Sequence, residues 1–434
     1  MRVLVIGAGI GGLALAQALH RAGDDVRVVD RDAAVESTGG YRLHLDHLAC
    51  AALRRALQPA HYQALLASSA GPGAFRQFAI TDHRLRLLGV DRQDPTAERL
   101  LIGRVPLRRL LTAGLHDRVH FGQEYLSHDV SSNGTVTARL RDRVTGAVNT
   151  TDAVDLLVGA DGVGSRVAHA LAGRATSAPV GISGIAGRTP IDEHTHALVP
   201  DLLRVGPALA FGPGGSAVFL SLHDPTATAV DPTTCTQVAP DIEAPSLVWG
   251  LLAPDDHLPA DLRAMSGADL VATADETLAG WAPRVLALIA ASDHAVVASY
   301  RFHATDPSAD LTPWAAGSVT CLGDAVHAMP PTAGRAAATA IRDADLLAEH
   351  LAQVRAGSTT LAVALHDYHR ALTAYAADAI RESLAPLPWV RASSGPLATR
   401  LTRAVLPVLA LAASGYRRTR QRGCGPGRSW RAVE

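Results

Sequence analysis

The first thirty residues constrain the fold more than any other part of the chain. Arg2-Val3-Leu4-Val5-Ile6 is a short β-branched and apolar run of the kind that forms a buried parallel strand. It leads straight into Gly7-Ala8-Gly9-Ile10-Gly11-Gly12. From Leu13 to Leu19 the apolar spacing turns helical, Gly23 ends that helix, and Val26-Arg27-Val28-Val29 begins a second strand. In such a βαβ beginning Gly7 permits the tight turn, Gly9 lets the backbone approach a pyrophosphate, and Gly12 lets helix and strand pack closely. The helix N-terminus then faces the phosphate charge. Asp30, about 20 residues past the glycines, is placed to accept hydrogen bonds from an adenosine ribose. NAD and FAD both fit this unit.

Two later strands end in aspartate turns. Val154-Asp155-Leu156-Leu157-Val158-Gly159 runs into Ala160-Asp161-Gly162-Val163-Gly164-Ser165-Arg166. Gly317-Ser318-Val319-Thr320-Cys321-Leu322 runs into Gly323-Asp324-Ala325-Val326-His327-Ala328-Met329-Pro330-Pro331. With these three motifs in order, nearly the whole chain resembles the FAD-dependent monooxygenases of the aromatic-hydroxylase superfamily, typified by para-hydroxybenzoate hydroxylase. The resemblance implies an α/β fold, with a Rossmann-like FAD-binding domain, a β-sheet-rich substrate domain and C-terminal helices.

The same resemblance implies site roles. Asp161 falls near the flavin pyrophosphate, and Asp324, after Gly323, at a ribityl hydroxyl. Arg104, in Ile102-Gly103-Arg104-Val105-Pro106-Leu107-Arg108, is the candidate for the pyrophosphate. Arg42, in Gly39-Gly40-Tyr41-Arg42-Leu43, approaches the cofactor or lies on the surface. Pro331, with Pro330, fixes the loop beside the flavin ring, and Gly334 opens the segment against its pyrimidine side. The implied reaction uses NADPH or NADH to reduce FAD without a second Rossmann domain. One oxygen atom then goes to a small-molecule substrate, aromatic or polyketide-like, in specialised metabolism.

The chain departs from the family at two places. The family reading Asp-Gly-x-x-Ser-x-Val-Arg ends here in Ala168, leaving Arg166 as the nearby cation. Where relatives have Gly-x-Gly-x-Asn, this chain has Gly334-Arg335-Ala336-Ala337-Ala338. A methyl group where backbone should approach the ring could shift the flavin. These residues motivate an alternative, an FAD-bound redox-neutral cyclase or isomerase on the same fold. A non-enzymatic flavin-binding protein is a third reading.

Composition narrows the class further. A chain of 434 residues, 48% hydrophobic and 19% charged, can bury a large core in more than one compact region. A net charge of -1 supplies no basis for a nucleic-acid partner. Cys50, Cys235, Cys321 and Cys424 are scattered without metal-ligand spacing, so reduced thiols in a cytoplasmic enzyme and no metal site are expected. The N-terminus enters a strand directly, without a signal-like segment. All 40 Lys+Arg positions are arginine, which excludes lysine Schiff-base or lysine general-base chemistry.

Residues 1–70, 100–175 and 316–390 are expected to form the FAD domain, and 71–99 with 176–315 the substrate domain. Thr135-Val136-Thr137-Ala138-Arg139-Leu140 alternates as an antiparallel excursion, with turns at Ser132-Asn133-Gly134 and Thr145-Gly146. Residues 216–222 and 246–252 read as strands, and the Thr-, Pro- and Asp-rich stretch between them as a loop over the pocket or a solvated linker. A helix is expected from Gly334 towards Arg355, closed by Gly357, its positive end facing the flavin. Residues 391–434 read as a C-terminal helix and basic tail. The apolar run 404–413 is too short to span a bilayer. The arginines after it are a solvated tail or a contact for a membrane surface or a carrier-bound substrate. Tyr300, Arg301 and His303 form a polar cluster at the cavity or on an exposed edge. His327 is expected to pack structurally, and the sequence names no catalytic acid or base.

Overall fold

The computed structural model describes residues 1–38, 42–94, 97–224 and 228–392. The readings of Gly39-Gly40-Tyr41 and of the tail beyond residue 392 lie outside these. Strand β1 (Arg2–Ile6) pairs in parallel with β2 (Asp25–Val29) on one side and β11 (Leu156–Gly159) on the other. β17 (Val319–Cys321) and β7 (Val119–His120) complete a five-stranded parallel sheet, in the order β17-β11-β1-β2-β7. Its inner strands are largely apolar because both faces are covered, in one core that takes in Leu13, Leu15 and Leu19 after the glycine turn together with Tyr125, Val136, Ala138 and Leu140 of the antiparallel excursion.

Helix α1 (Ile10–Arg21) follows the glycine turn, and Gly23 leaves it at φ +83°. Helix α9 (Ala336–Arg355) crosses α1 at Gly11, where an added Cβ would lie 2.7 Å from Leu322 and 3.1 Å from Ala340. Gly357 ends α9 at φ +71°, as the expected helix requires. Helix α10 (Leu361–Leu384) packs beside α9. The alternating 135–140 segment lies in β9 (Val136–Asp142), between β8 (Gln123–Val130) and β10 (Val148–Thr150), with Gly134 and Gly146 left-handed in the turns. A small ladder joins β3 (Arg42–Leu45) to β6 (Leu100–Gly103), placing Arg42 opposite Gly103.

The second large sheet has seven strands, in the order β16-β12-β15-β14-β13-β4-β5. They are β4 (Gln77–Asp82), β5 (Leu87–Arg92), β12 (Ala178–Pro190), β13 (Ala208–Phe211), β14 (Ala217–His223), β15 (Ser246–Pro254) and β16 (Ala298–Ala304). One face packs Ile185, Val218, Leu220, Trp249 and Leu251 against helices α6 (Gly267–Thr277) and α7 (Pro283–Ala290). Trp249 is fully buried there and donates its indole N–H to Ser292 Oγ at 2.7 Å.

Opposed residues of neighbouring strands share a face. The other face is therefore read in rows, such as Ala186-Gly250-Phe219-Leu209. One end of it is covered by helix α11 (Leu387–Ala392), whose Leu387 and Val390 pack on Ile182, Phe211, Ala217 and Leu252. Ala186, Gly250 and Phe219 are only half-buried although they lie in inner strands. That face is open at its centre.

Candidate active site

The glycine turn divides its labour between packing and approach. Gly7 sits at φ +115°, and a Cβ there would collide with the Ala160 carbonyl, while one on Gly12 would collide with the Gly7 carbonyl. Both glycines are demanded by the protein's own backbone. Gly9 differs, since a Cβ there would meet only the Ala160 oxygen, at 4.0 Å. Gly9 caps α1 without a side-chain hydrogen bond, and the first turn holds no acid. The positive helix end is thus presented to an anion by uncapped amides.

Asp30 ends β2 and accepts the Ala8 amide at 2.5 Å and the Asp32 amide at 2.7 Å. Each oxygen keeps a further lone pair. Arg108, the buried residue that sequence reasoning passed over, donates through Nε to the Ala8 carbonyl at 3.0 Å and through both terminal nitrogens to Asp32 at 3.3 Å. It also lies 3.9 Å from Asp30. Arg108 therefore staples the glycine turn to the end of β2. The missed signal was its place on the apolar stripe Arg104, Leu107, Arg108, Leu111 of helix α4 (Arg104–Thr112). Burial, with repulsion from Asp30, raises the Asp32 carboxyl pKa against the pull of Arg108.

Asp161 accepts the Ser165 hydroxyl at 2.5 Å and the Arg166 amide at 2.8 Å, organising the N-terminus of helix α5 (Arg166–Ala172). The Arg166 guanidinium turns away to Glu124 at 2.9 Å and the Tyr125 carbonyl at 3.0 Å. Ala168 is completely buried, so this packing has no room for an arginine there.

Gly323, at φ +64°, introduces helix α8 (Asp324–His327). Its amide is held by Asp343 Oδ2 at 2.8 Å, and the same oxygen meets His327 Nε2 at 2.6 Å. Tyr375 donates to the other Asp343 oxygen at 2.6 Å. His327 and Asp343 are both fully buried, so His327 has the structural place expected of it. This network fixes the turn that carries Asp324. Burial pushes the Asp324 carboxyl up, while His327 and Arg104 favour its charged form and Asp343 opposes it. Arg104 opens α4, and its Nε is buried without a hydrogen-bond partner. Burial lowers its pKa, against which Asp324 is the first opposing charge. An unpartnered guanidinium donor, an uncapped helix and an open Gly9 are a donor set that suits a dinucleotide pyrophosphate.

At the far end, Pro331 begins a single helical turn, Pro331–Ala333, and Gly334 leaves it in the left-handed region at φ +63°. Helix α9 then starts without a side-chain cap or an acid in its first turn. Ala336 and Ala338 lie inside that helix, so their methyl groups carry no backbone strain. Arg335 bridges Asp46 at 3.4 Å and Glu382 at 3.5 Å. Of the polar cluster on β16, Tyr300 lies opposite Gly184 on the open face and adds to the field at Arg104. Arg301 is exposed, 3.7 Å from Asp255, and His303 meets the Arg301 carbonyl at 3.1 Å. Arg42 reaches across to β14, where Nη1 donates to the Leu222 carbonyl and to Ser221 Oγ.

The loop before β15 docks on the motif-bearing part of the molecule. The Asp241 amide meets Ser68 Oγ at 2.9 Å, and its carboxylate pairs with Arg109 at 2.9 Å. Among the described residues no group of acids, histidines and cysteines could hold a metal ion. None of the described helices is long and apolar enough to cross a membrane.

Comparison with known proteins agrees with this geometry. The FAD binding domain family model matches residues 1–201 and 273–383. The dual O-methyltransferase/FAD-dependent monooxygenase CTB3 of Cercospora beticola is 30% identical over 380 residues, 81% of this chain and 42% of that protein. The chloroplastic zeaxanthin epoxidase of Oryza sativa subsp. japonica is 29% identical over 373 residues, 81% of this chain and 48% of its own. The chain thus spans less than half the length of these two relatives. Among solved structures, a Photorhabdus luminescens protein assigned as an FAD containing monooxygenase superposes with a TM-score of 0.75 at 29% identity, over 90% of this chain and 98% of its own. Klebsiella pneumoniae HpxO, complexed with FAD and uric acid, shares the fold with a TM-score of 0.72 at 23% identity, over 94% of this chain and 92% of its own. By its three motifs, their geometry and the extent of these matches, the chain belongs to the FAD binding domain family and carries the aromatic-hydroxylase type of fold.

Proposed function

We propose that the protein is an FAD-dependent monooxygenase, a hydroxylase or epoxidase, that acts on an aromatic or polyketide-like small molecule with NADPH or NADH as reductant. The observation that carries this reading is the coincidence of two uncapped helix N-termini, at α1 and α9, with a strand, β3, that packs on α9 and reaches the open sheet face through Arg42. FAD when bound supplies the redox equivalents and the activation of oxygen. The chain's own residues bind and orient it. Uncapped amides after Gly9 and the Arg104 guanidinium meet the pyrophosphate, Asp30 the ribose and Asp324 a ribityl hydroxyl. The Pro331 turn and Gly334 bring the start of α9, with its positive dipole, to the ring. Asp161 contributes indirectly, by organising the start of α5 beside the glycine turn. With FAD bound, the dipole of the α9 start would favour negative charge at the ring end of the cofactor, and the sheet face would help to exclude water there.

Anaerobic stopped-flow mixing with NADPH tests the reading, with flavin absorbance followed with and without candidate aromatic substrates. Bleaching accelerated by substrate, followed on aeration by an oxygenated product, is expected. Flavin that stays oxidised throughout would sink the proposal in favour of the redox-neutral cyclase or isomerase. That alternative draws on Ala336 and Ala338, which stand in the first turn of α9. Buried free thiols at Cys50 and Cys321 support a reducing, cytoplasmic location. A carrier-bound substrate rests on the basic tail alone. Removing residues 416–434 should then reduce turnover of the carrier-bound form and spare the free acid.

A further inference from the structure

Helix α8 is clamped from several directions. The Thr176 hydroxyl donates to the Ala325 carbonyl at 3.1 Å, the Thr305 hydroxyl donates to the Val326 carbonyl at 3.0 Å, and from α9 Asp343 takes the Gly323 amide at 2.8 Å. His327 is the last residue of α8, so this clamp also fixes the place where its Nε2 meets Asp343 at 2.6 Å. Its Nδ1 is buried without a hydrogen-bond partner. What balances a protonated ring is therefore carboxylate charge.

Two carboxylates bear on it. Asp343 touches the ring, and Asp324 stands one helical turn earlier on α8. Burial opposes a charge on His327, but Asp343 and then Asp324 raise its pKa above the ordinary value. From α10, Tyr375 donates to the other Asp343 oxygen at 2.6 Å and Tyr368 donates to the Cys321 carbonyl at 3.1 Å. His369 meets the Thr320 hydroxyl at 2.8 Å, its pKa lowered by burial to about 4. Arg342 lies over the Tyr375 ring, 3.7 Å from its centroid, and burial raises the pKa of the Cys321 thiol. On α5, which also packs on α8, Arg166 turns to Glu124 and His169 is exposed. Asp324 is thus shared by two cations, His327 and Arg104, and the Arg104 Nε is idle. A pyrophosphate that draws Arg104 to itself leaves Asp324 to His327 and brings further negative charge close by. Both changes favour a proton on His327.

We propose that His327 and Asp343 are positioning residues whose charge is coupled to the cofactor: the pair holds the turn that carries Asp324, and once the pyrophosphate claims Arg104 the protonated His327 balances Asp324, so that FAD binds with uptake of a proton from solvent. This deepens the cofactor site of the monooxygenase reading and rests on its placement of the pyrophosphate at Arg104. By reciprocity the proton strengthens FAD binding by the factor with which FAD strengthens proton binding. Affinity for FAD is then full below the pKa of His327 in the free protein, falls as pH rises through it, and levels off above the pKa in the complex.

The test is FAD titration of the full-length protein stripped of cofactor, by quenching of flavin fluorescence from about pH 6 to about pH 9, the span in which a histidine of raised pKa discharges. Calorimetry at about pH 8 in phosphate and in Tris, which differ in ionisation heat, counts the protons taken up. The wild-type Kd is expected to rise about tenfold across this span, the factor that goes with a shift of about one pKa unit between free and bound protein. Binding heats in the two buffers should differ in the sense of uptake. His327→Gln keeps a donor towards Asp343 but no charge, so its Kd should stay near the wild-type alkaline level at every pH, without buffer dependence. A purely structural pair would leave the wild-type Kd flat. Tyr375→Phe is the milder second variant: it takes a donor from Asp343, the carboxylate pulls harder on His327, and the fall in affinity should move to higher pH. A wild-type Kd independent of pH, equal heats in the two buffers, a pH dependence unchanged in His327→Gln, or one that Tyr375→Phe leaves in place would each overturn the proposal. Bleaching by NADPH of the FAD-loaded samples reports separately on the monooxygenase reading.

Discussion

At the turn after β1, glycine is demanded by the protein's own backbone, whereas at Gly250 in the seven-stranded sheet it is not. A Cβ on Gly7 or Gly12 collides with carbonyl groups a few residues or one strand away. A Cβ on Gly250 meets only the Ala186 methyl, at 3.9 Å. The first region is built from tight local approach around a helix end. The second is a floor whose openness comes from small residues brought side by side by register. One region is therefore intolerant of volume for reasons of folding, and the other for reasons of what lies on it.

The most severe way to break this contrast is Gly12→Ala. Overpacking against backbone costs about 3 kcal/mol or more where nothing can move aside. Little folded, yellow protein is expected, and a soluble variant with full flavin absorbance would contradict the turn's geometry. Next comes Asp343→Asn, which leaves the buried His327 without its carboxylate and should cost about 3 kcal/mol by urea denaturation. Burial opposes the charge on His327, but Asp343 and Asp324 together raise its pKa above the ordinary value. Its contribution to stability is therefore complete below about pH 6.5 and fades as pH rises through the raised folded value. The wild-type protein should lose that increment on the alkaline side, and Asp343→Asn should flatten the dependence.

Arg108→Met keeps volume but removes the staple on Ala8 and Asp32. About 2 kcal/mol of stability should go with it, together with some FAD affinity, read by flavin fluorescence on titration. Asp30→Ala and Asp324→Ala should each weaken FAD retention about tenfold, through loss of a carboxylate acceptor, with less effect on the fold. Full flavin in both purified variants would remove their assigned roles. Gly250→Ala is expected to change stability by no more than about 0.5 kcal/mol, yet to weaken binding of flat aromatic ligands. If it destabilised the protein as strongly as Gly12→Ala, the contrast between the two regions would fail.

The same contrast explains what could be read from the residues alone. The β1-turn-α1-β2 unit, the two aspartate turns and the helix from 336 to 355 are written in contiguous residues, with punctuation by glycine and proline. Arg108 escaped because its partners are Ala8 and Asp32, and an arginine on an apolar helix face has no local mark of what it will meet. Asp343 escaped likewise, since a carboxylate in mid-helix reads as solvent-facing until His327 and Tyr375 are brought to it. Arg42 meets β14, 179 residues away from it at Ser221. Strand periodicity says which residues share a face, but not which strand lies beside which. The floor was therefore beyond local pattern.

The interleaving of the two sheets also bears on how a ribosome can deliver this molecule. β4 must wait for β13 as its parallel partner, β11 must wait for β17, and α1 must wait for α9 to cover Gly11. The seven-stranded sheet is complete only after Ala304 and the parallel sheet only after Cys321, so translation yields no early, finished half that could fold and stay folded alone. A split placed between the sheets would separate strands that need each other. Folding here is a late and joint event, and the flavin site is among its last products.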